Sequence, residues 1–171
     1  MNKLLIGLFL ILSLGANAEG IFVLNAEIAM LNTQHAKDAF KELEEGADYI
    51  ADLERAELLQ SESQELAEKF QKDIETLSDE QKLNMQKKIQ DKQNELKFLA
   101  NKIQTKQQET AQTVVAELAQ DFQAVLSELI NAKKIELVAN PQSLLYAKPE
   151  LDITDDVTSG LDVRLAKKSE E

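Results

Sequence analysis

Several residue types that usually organise a compact domain are scarce in this 171-residue chain, which has no cysteine, no tryptophan, two prolines and five glycines. Without cysteine there can be no disulfide and no thiol to which a lipid could be attached. Six phenylalanines and two tyrosines supply few large side chains for a core. A conventional globular core is therefore not expected.

Groups that could perform chemistry are also scarce. His35 is the only histidine, so neither a zinc site nor a histidine-activated nucleophile is expected. Ser61 and Ser78, for example, have no histidine near them in the sequence. The acidic run at 42–45 could attract calcium only weakly, because it lacks the loop geometry of a calcium site. With no glycine-rich phosphate loop either, we expect no enzyme activity, no cofactor and no metal.

Basic residues are too few for a nucleic-acid-binding protein. The chain has 31 acidic and 19 basic residues, a formal net charge of −12, whereas phosphate binding needs a basic face. The charge is unevenly distributed. Residues 31–68 carry eleven acids and three bases, residues 69–106 carry nine lysines and six acids, and residues 107–130 carry four acids and no base. The middle of the chain is therefore cationic between two acidic stretches.

The N-terminus has the pattern of a secretory leader. Lys3 precedes the apolar run 4–15, and Ala16-Asn17-Ala18 is an A-x-A cleavage site. Twelve apolar residues are fewer than the roughly 20 that span a bilayer, although an uncleaved membrane anchor is the alternative. We expect residues 1–18 to be a signal peptide that is cleaved after Ala18, which would place the protein in a bacterial periplasm.

A very long helical segment dominates the rest of the chain. No glycine or proline occurs in the 94 residues from 47 to 140, and a single helix of that length would extend ~140 Å. It must project from a body or fold back. Ser78 followed by Gln81 is a capping box, so we expect an antiparallel hairpin over 27–131 with its tip near 77–81.

Apolar residues in both halves of this hairpin follow a heptad spacing, which predicts a coiled-coil seam between them. In the returning half, Ile89, Leu96 and Ile103 lie seven residues apart. In the outgoing half the predicted seam positions alternate at spacings of three and four: Leu53, Ala56, Gln60, Ser63, Ala67, Phe70, Ile74 and Leu77.

The sequence predicts short strands near the two ends of the chain. Segments 21–25, 135–139 and 143–147 are apolar and bounded by turn residues, and a short helix capped by Thr154 follows, with a frayed end at 167–171. Three short strands cannot bury enough apolar surface alone, so we expect 19–26 and 132–171 to form a β-rich oligomerisation body. Its expected contact residues are Ile21, Val23, Leu24, Ile135, Leu137, Val138, Leu145, Tyr146 and Ile153.

The arrangement resembles the Skp/OmpH family of periplasmic chaperones over the whole mature chain. The resemblance rests on the opening strand Phe22–Asn25, the hairpin with its tip at Ser78, and the C-terminal segments Ile135–Ala139, Leu145–Ala147 and Asp152–Thr154. It implies a homotrimer in which strands from three chains form a small β-barrel body, and three helical hairpins project as tentacles around a cavity. One difference is that the best-known member is strongly basic, whereas this chain is acidic.

The resemblance also implies an ATP-independent holdase that keeps unfolded outer-membrane β-barrel proteins from aggregating. The alternative is a coiled-coil spacer or adaptor of the cell envelope. The tip lysines could steer acidic client segments or transiently contact the membrane surface, or they could form an ordinary solvated face. Likewise, the apolar tip residues could be seam residues. The expected client contacts are Phe70, Ile74, Leu77, Lys82, Leu83, Met85, Lys87, Lys88, Ile89 and Lys92.

Overall fold

Helices make up most of this protein, and two short strands pair near its ends. The structure is a computed structural model that describes residues 20–170, so the expected signal peptide lies outside the described residues. The elements in chain order are β1 (Ile21–Val23), α1 (Ala26–Leu31), α2 (Gln34–Glu45), α3 (Ala47–Asp73), α4 (Asp79–Lys133), β2 (Leu137–Ala139) and α5 (Thr154–Ser169). No helix among residues 20–170 is long and apolar enough to cross a membrane.

The longest helices, α3 and α4, run antiparallel as a hairpin. The connection at 74–78 ends in the predicted capping box, which is confirmed: Ser78 Oγ accepts a hydrogen bond from the Gln81 amide at 3.3 Å, and Gln81 Oε1 accepts one from the Ser78 amide at 2.9 Å. Asp79 and Glu80 lie in the first turn of α4, where the helix dipole favours negative charge. The 55 residues of α4 extend ~80 Å at ~1.5 Å per residue.

The outgoing half of the hairpin is broken twice, where the sequence predicted continuous helix from Glu27. Thr33 ends α1 and caps α2, because its hydroxyl donates to the Met30 carbonyl at 2.8 Å and accepts from the Ala36 amide at 3.2 Å. Gly46 has extended backbone angles between α2 and α3. A glycine costs a helix interior ~1 kcal/mol relative to alanine, and here it marks a change in helix direction.

The seam of the hairpin differs from the predicted one in half of its positions. Ala56, Ser63, Phe70 and Leu77 are half-buried as predicted, but their heptad partners are Asp52, Leu59, Leu66 and Asp73. Each predicted partner lies one residue after the observed one in the sequence. Two of the predicted partners, Leu53 and Ile74, are 39% and 42% exposed. A new helix, α3, begins after Gly46, and its first buried residues are Tyr49 and Asp52. The other seam positions of α3 continue the heptad from these two residues.

The strands at the two chain ends form a two-stranded parallel sheet. Ile21 pairs with Leu137 and Val23 with Ala139, and an isolated bridge joins Val23 to Asp152. The predicted third strand at 143–147 does not join this sheet. Residues Pro141–Ser143 form a 3₁₀ turn, in which the Asn140 side chain accepts a hydrogen bond from the Gln142 amide, and the segment after it has no strand pairing among residues 20–170.

The last helix is longer than predicted. α5 runs to Ser169, so residues 167–169 are helical and not frayed. Thr154 is its first residue and not its cap, because the Thr154 hydroxyl accepts a hydrogen bond from the Asn25 amide at 3.0 Å. This bond ties the start of α5 to the end of β1, 129 residues away in sequence.

A single apolar core lies where α1, α4 and α5 meet the sheet. Gly160 on α5 allows close packing against α4, since an added Cβ would lie 2.6 Å from Val125 Cγ1. The buried apolar residues of this core are Leu24, Ala29, Met30, Ala36, Val114, Leu118, Phe122, Val125, Ile135, Ile153, Val157 and Leu161. The outer part of the hairpin contributes none of them, so it projects from the body with only its own seam to stabilise it.

Candidate functional surface of the arm

We call the α3–α4 hairpin from Ala47 to Gln107 the arm. A polar layer crosses its seam near the body. Asp52 is 7% exposed and accepts hydrogen bonds from Lys102 Nζ at 2.7 Å and Lys106 Nζ at 3.1 Å. Tyr49 accepts one from Gln107 at 2.8 Å. The hydrogen bond from Lys102 is the main cause that lowers the pKa of Asp52, so the carboxylate stays charged. This layer fixes the register of the two helices.

Further along the arm, ion pairs replace apolar contacts on one side of the seam. Lys92 donates to Glu62, and this hydrogen bond is the main cause that lowers the pKa of Glu62. Arg55 Nη2 lies 2.8 Å from Glu95 Oε1. Lys92, which we expected to be a free steering lysine, is therefore half-buried and paired across the arm. Lys92 therefore does not belong to the exposed lysines of the tip.

The other predicted contact residues at the tip fall into two groups. Leu83 and Ile74 are exposed, Leu83 by 67%, and Lys87 and Lys88 point to solvent. The remaining residues are half-buried along the seam: Phe70, Leu77, Lys82, Met85 and Ile89. Lys87 lies one turn after Leu83 on α4, and Asp79 lies one turn before it. An exposed leucine beside an exposed lysine is a surface that could contact an apolar, acidic segment of another chain.

The two most exposed large apolar side chains of the arm outside the predicted contact set are Phe98 and Leu58. Phe98 is 66% exposed and Leu58 is 50% exposed. Each immediately precedes a buried seam residue, Leu99 or Leu59, and at ~100° per residue this turns it away from the opposite helix. The sequence signal was available, because neither residue lies on the predicted seam, which passes through Ala56 and Gln60 beside Leu58 and through Leu96 before Phe98.

The predicted body residues also divide by exposure. Val23, Leu24, Ile135 and Ile153 are buried within the single chain. The others leave an apolar surface open to solvent: Ile21, Leu137, Val138, Leu145 and Tyr146. Ile21 and Leu137 are register partners, so they lie side by side on one face of the sheet.

A buried ion pair fastens α5 to α4. Asp121 is 5% exposed and accepts hydrogen bonds from Arg164 Nε at 2.8 Å and from Lys168 Nζ at 2.6 Å. Lys168, followed by Arg164, holds the pKa of Asp121 below its usual range. Because both cations lie in the last turns of α5, the pair holds the C-terminal part of this helix against the base of the arm.

Comparison with known families identifies the chain. Residues 20–161 match the model of the OmpH family, described as outer membrane protein (OmpH-like). The protein belongs to the OmpH-like family. This match covers the sheet, the hairpin and the first half of α5, and it confirms the resemblance inferred from the sequence. No curated protein matches the sequence significantly.

Among solved structures, this OmpH-like chain is similar to a candidate outer membrane chaperone (OmpH-like) from Caulobacter crescentus CB15. The two chains share 18% sequence identity over 88% of each, with a TM-score of 0.48. The family assignment rests on the sequence match and not on this superposition.

Proposed function

We propose that this OmpH-like protein is an ATP-independent periplasmic holdase chaperone for unfolded outer-membrane β-barrel proteins. The observation that carries the proposal is the exposed apolar surface of a projecting arm, at Leu58, Leu83 and Phe98. Isolated exposed leucines are common on proteins. A phenylalanine and two leucines exposed on one projecting arm are instead suited to many weak contacts with apolar strands of different clients.

The body supports an oligomeric arrangement. A two-stranded sheet is marginal by itself, and its exposed face carries Ile21 and Leu137 beside the extended segment with Leu145 and Tyr146. We propose that copies of this chain cover that face through 19–26 and 132–171. The hairpin 27–131 would project from this body beyond its base, where residues 29–36 and 114–125 contribute to the core. A homotrimer with a shared β-barrel would enclose a cavity between three arms, into which unfolded clients would enter.

The charged and the apolar residues of the arm would act differently. Lys87 and Lys88 at the tip are free to attract acidic segments over the ~8 Å Debye length at physiological salt, whereas the apolar residues would hold the client after capture. No nucleotide is needed in this scheme, because a client leaves when it folds into the membrane. The alternative function, a coiled-coil spacer that serves one fixed partner, does not account for the exposure of Phe98 and Leu58.

The proposal is tested by replacing Leu58, Leu83 and Phe98 together with serine. We expect the variant to need several-fold more protein than the wild type to suppress aggregation of a urea-unfolded β-barrel protein, as measured by light scattering. The apolar contacts it loses are worth ~1.5–3 kcal/mol each when fully buried.

The matched control replaces Gln60, Gln86 and Gln104, all exposed on the arm, with serine. It should suppress aggregation as the wild type does. Both variants must retain the helical circular dichroism of the wild type, because none of the six side chains is buried. Equal protection by the apolar variant and the wild type would overturn the proposed role of these residues.

A further inference from the structure

A groove lies where the arm joins the body, away from the tip. It has a volume of about 720 Å³ and forms because the chain changes direction at Gly46, which opens a gap between the α2–α3 junction and α4. Its floor is apolar, with Ala39, Leu43 and Val114. The aromatic ring of Tyr49 closes the end nearest the polar layer.

The rim of the groove is strongly acidic. Five carboxylates line it, namely Asp38, Glu42, Asp48, Glu109 and Glu117. Glu117 is hydrogen-bonded to His35 at 2.8 Å, and Asp38 accepts from Gln34 at 2.8 Å. The other three, Glu42, Asp48 and Glu109, form no salt bridge and no side-chain hydrogen bond with any residue from 20 to 170.

The basic groups near the groove do not neutralise this rim. Lys106 lines the groove, but Asp52 binds its ammonium group at 3.1 Å. His35 is already engaged with Glu117. The surrounding stretch 31–68 has a net charge of −8 from eleven acids and three bases, so the field at the groove attracts cations and repels anions.

The combination of floor and rim restricts the chemistry of a ligand. Nucleic acid and anionic lipid would be repelled by the rim. A metal ion is not favoured, because no group of three or more acidic or histidine side chains among residues 20–170 is arranged to hold one. An apolar floor between unpaired carboxylates is complementary to a peptide that carries aliphatic side chains on one side and lysine or arginine on the other.

We propose that this groove binds a lysine- or arginine-bearing amphipathic segment of an unfolded client. The inference rests on the proposed holdase function and adds a second, oppositely charged contact to it. The tip would receive acidic segments, and the groove would receive basic ones about 30 residues nearer the body. One client chain with mixed charge could then be held at both ends of the same arm, which increases its effective concentration at each site.

The experiment uses two fluorescein-labelled, proline-containing 15-residue peptides of the same leucine content, one with five lysines and one with five glutamates. Binding to the full mature protein is followed by fluorescence anisotropy at 150 mM salt. The wild type should bind the lysine peptide at least tenfold more tightly than the glutamate peptide. The groove variant Glu42→Gln, Asp48→Asn, Glu109→Gln should bind the lysine peptide about tenfold more weakly than the wild type.

The matched control variant removes the same charge elsewhere, through Glu54→Gln, Glu57→Gln and Glu75→Gln, all exposed and without ion-pair partners among residues 20–170. Its affinity for the lysine peptide should fall by less than threefold. Equal losses in the two variants would mean that net charge alone attracts the peptide, and an unchanged groove variant would mean that it binds elsewhere. Either result overturns the proposal.

The holdase proposal is tested separately, by measuring aggregation of the β-barrel protein in the presence of the wild type and of each variant. If the wild type fails to suppress aggregation but shows the predicted peptide preference, the groove is a peptide site of a protein with another function. If it suppresses aggregation and the groove variant binds the lysine peptide normally, the holdase stands and the groove proposal fails.

Discussion

Single carboxylates in this protein are held between two cations at the places where helices must keep a fixed relation. Asp52 lies between Lys102 and Lys106 in the arm, and Asp121 lies between Arg164 and Lys168 at its base. The side chains of the cations are a quarter to half exposed. Their desolvation cost is therefore small, although the carboxylate between them is buried. Such pairs specify an arrangement more than they stabilise it.

The Asp121 pair makes stability depend on pH. Its pKa is lowered in the folded chain, so its contribution is present above the ordinary aspartate value of about 3.9 and is lost as the pH falls through the lowered folded value. We expect Asp121→Asn to reduce the free energy of unfolding by about 1 kcal/mol at pH 7, because solvent screens the half-exposed cations. The difference from the wild type should shrink steadily below pH 4.

Urea unfolding of both proteins at several pH values between 2 and 7 measures this difference. A gap between wild type and variant that stays constant over the whole range would show that Asp121 acts through packing alone. Lys168→Met, which removes the first cause of the lowered pKa, should reduce the pH dependence without abolishing it, because Arg164 remains.

At the level of helices and strands, the hairpin shows how a heptad pattern can be read one residue out of step. Leu53 and Leu59 both fit a spacing of three and four, but Leu59 is fully buried and Leu53 is 39% exposed. The sequence could not decide between them, because each register contains both apolar and polar positions: Leu53 and Ile74 favour the predicted register, whereas Leu59 and Leu66 favour the observed one. A buried aspartate, Asp52, sets the register, and a charged residue is the last one that a hydrophobic pattern would place in a seam.

Alanine substitution distinguishes the two registers. Leu59→Ala should lower the free energy of unfolding by about 2–5 kcal/mol, since it leaves a cavity between α3 and α4. Leu53→Ala is the matched control and should cost less than about 1 kcal/mol, because its side chain already contacts water. Urea unfolding followed by circular dichroism measures both. A larger loss for Leu53→Ala would support the register predicted from the sequence and contradict the one described here.

The sequence correctly predicted the elements that are determined by residues close to one another in the chain. The capping box at Ser78 and the strands containing Val23 and Leu137 are such elements, and they are found in the structure. The segment 143–147 does not join the sheet of its own chain, because strand-like composition does not specify a pairing partner. Likewise, the groove depends on a break at Gly46 that the helical composition around it concealed.

The whole molecule separates its charges and its apolar surface by position. A folded body contains the shared core, the acidic groove lies at the start of the arm, and the exposed lysines lie at its end. The exposed face with Ile21, Leu137 and Tyr146 is in the body, and the exposed Leu58 and Phe98 are on the arm. These two apolar surfaces suggest different partners, other copies of the chain for the body and unfolded clients for the arm.

Native mass spectrometry of the mature chain, alone and after mixing with a urea-unfolded outer-membrane β-barrel protein, tests both partners most directly. We expect a homotrimer that takes up a single client and keeps it from aggregating. A discrete oligomer that leaves the client to aggregate would contradict the holdase function and favour a structural spacer. A monomer that remains monomeric with and without the client would contradict the proposed oligomeric body as well.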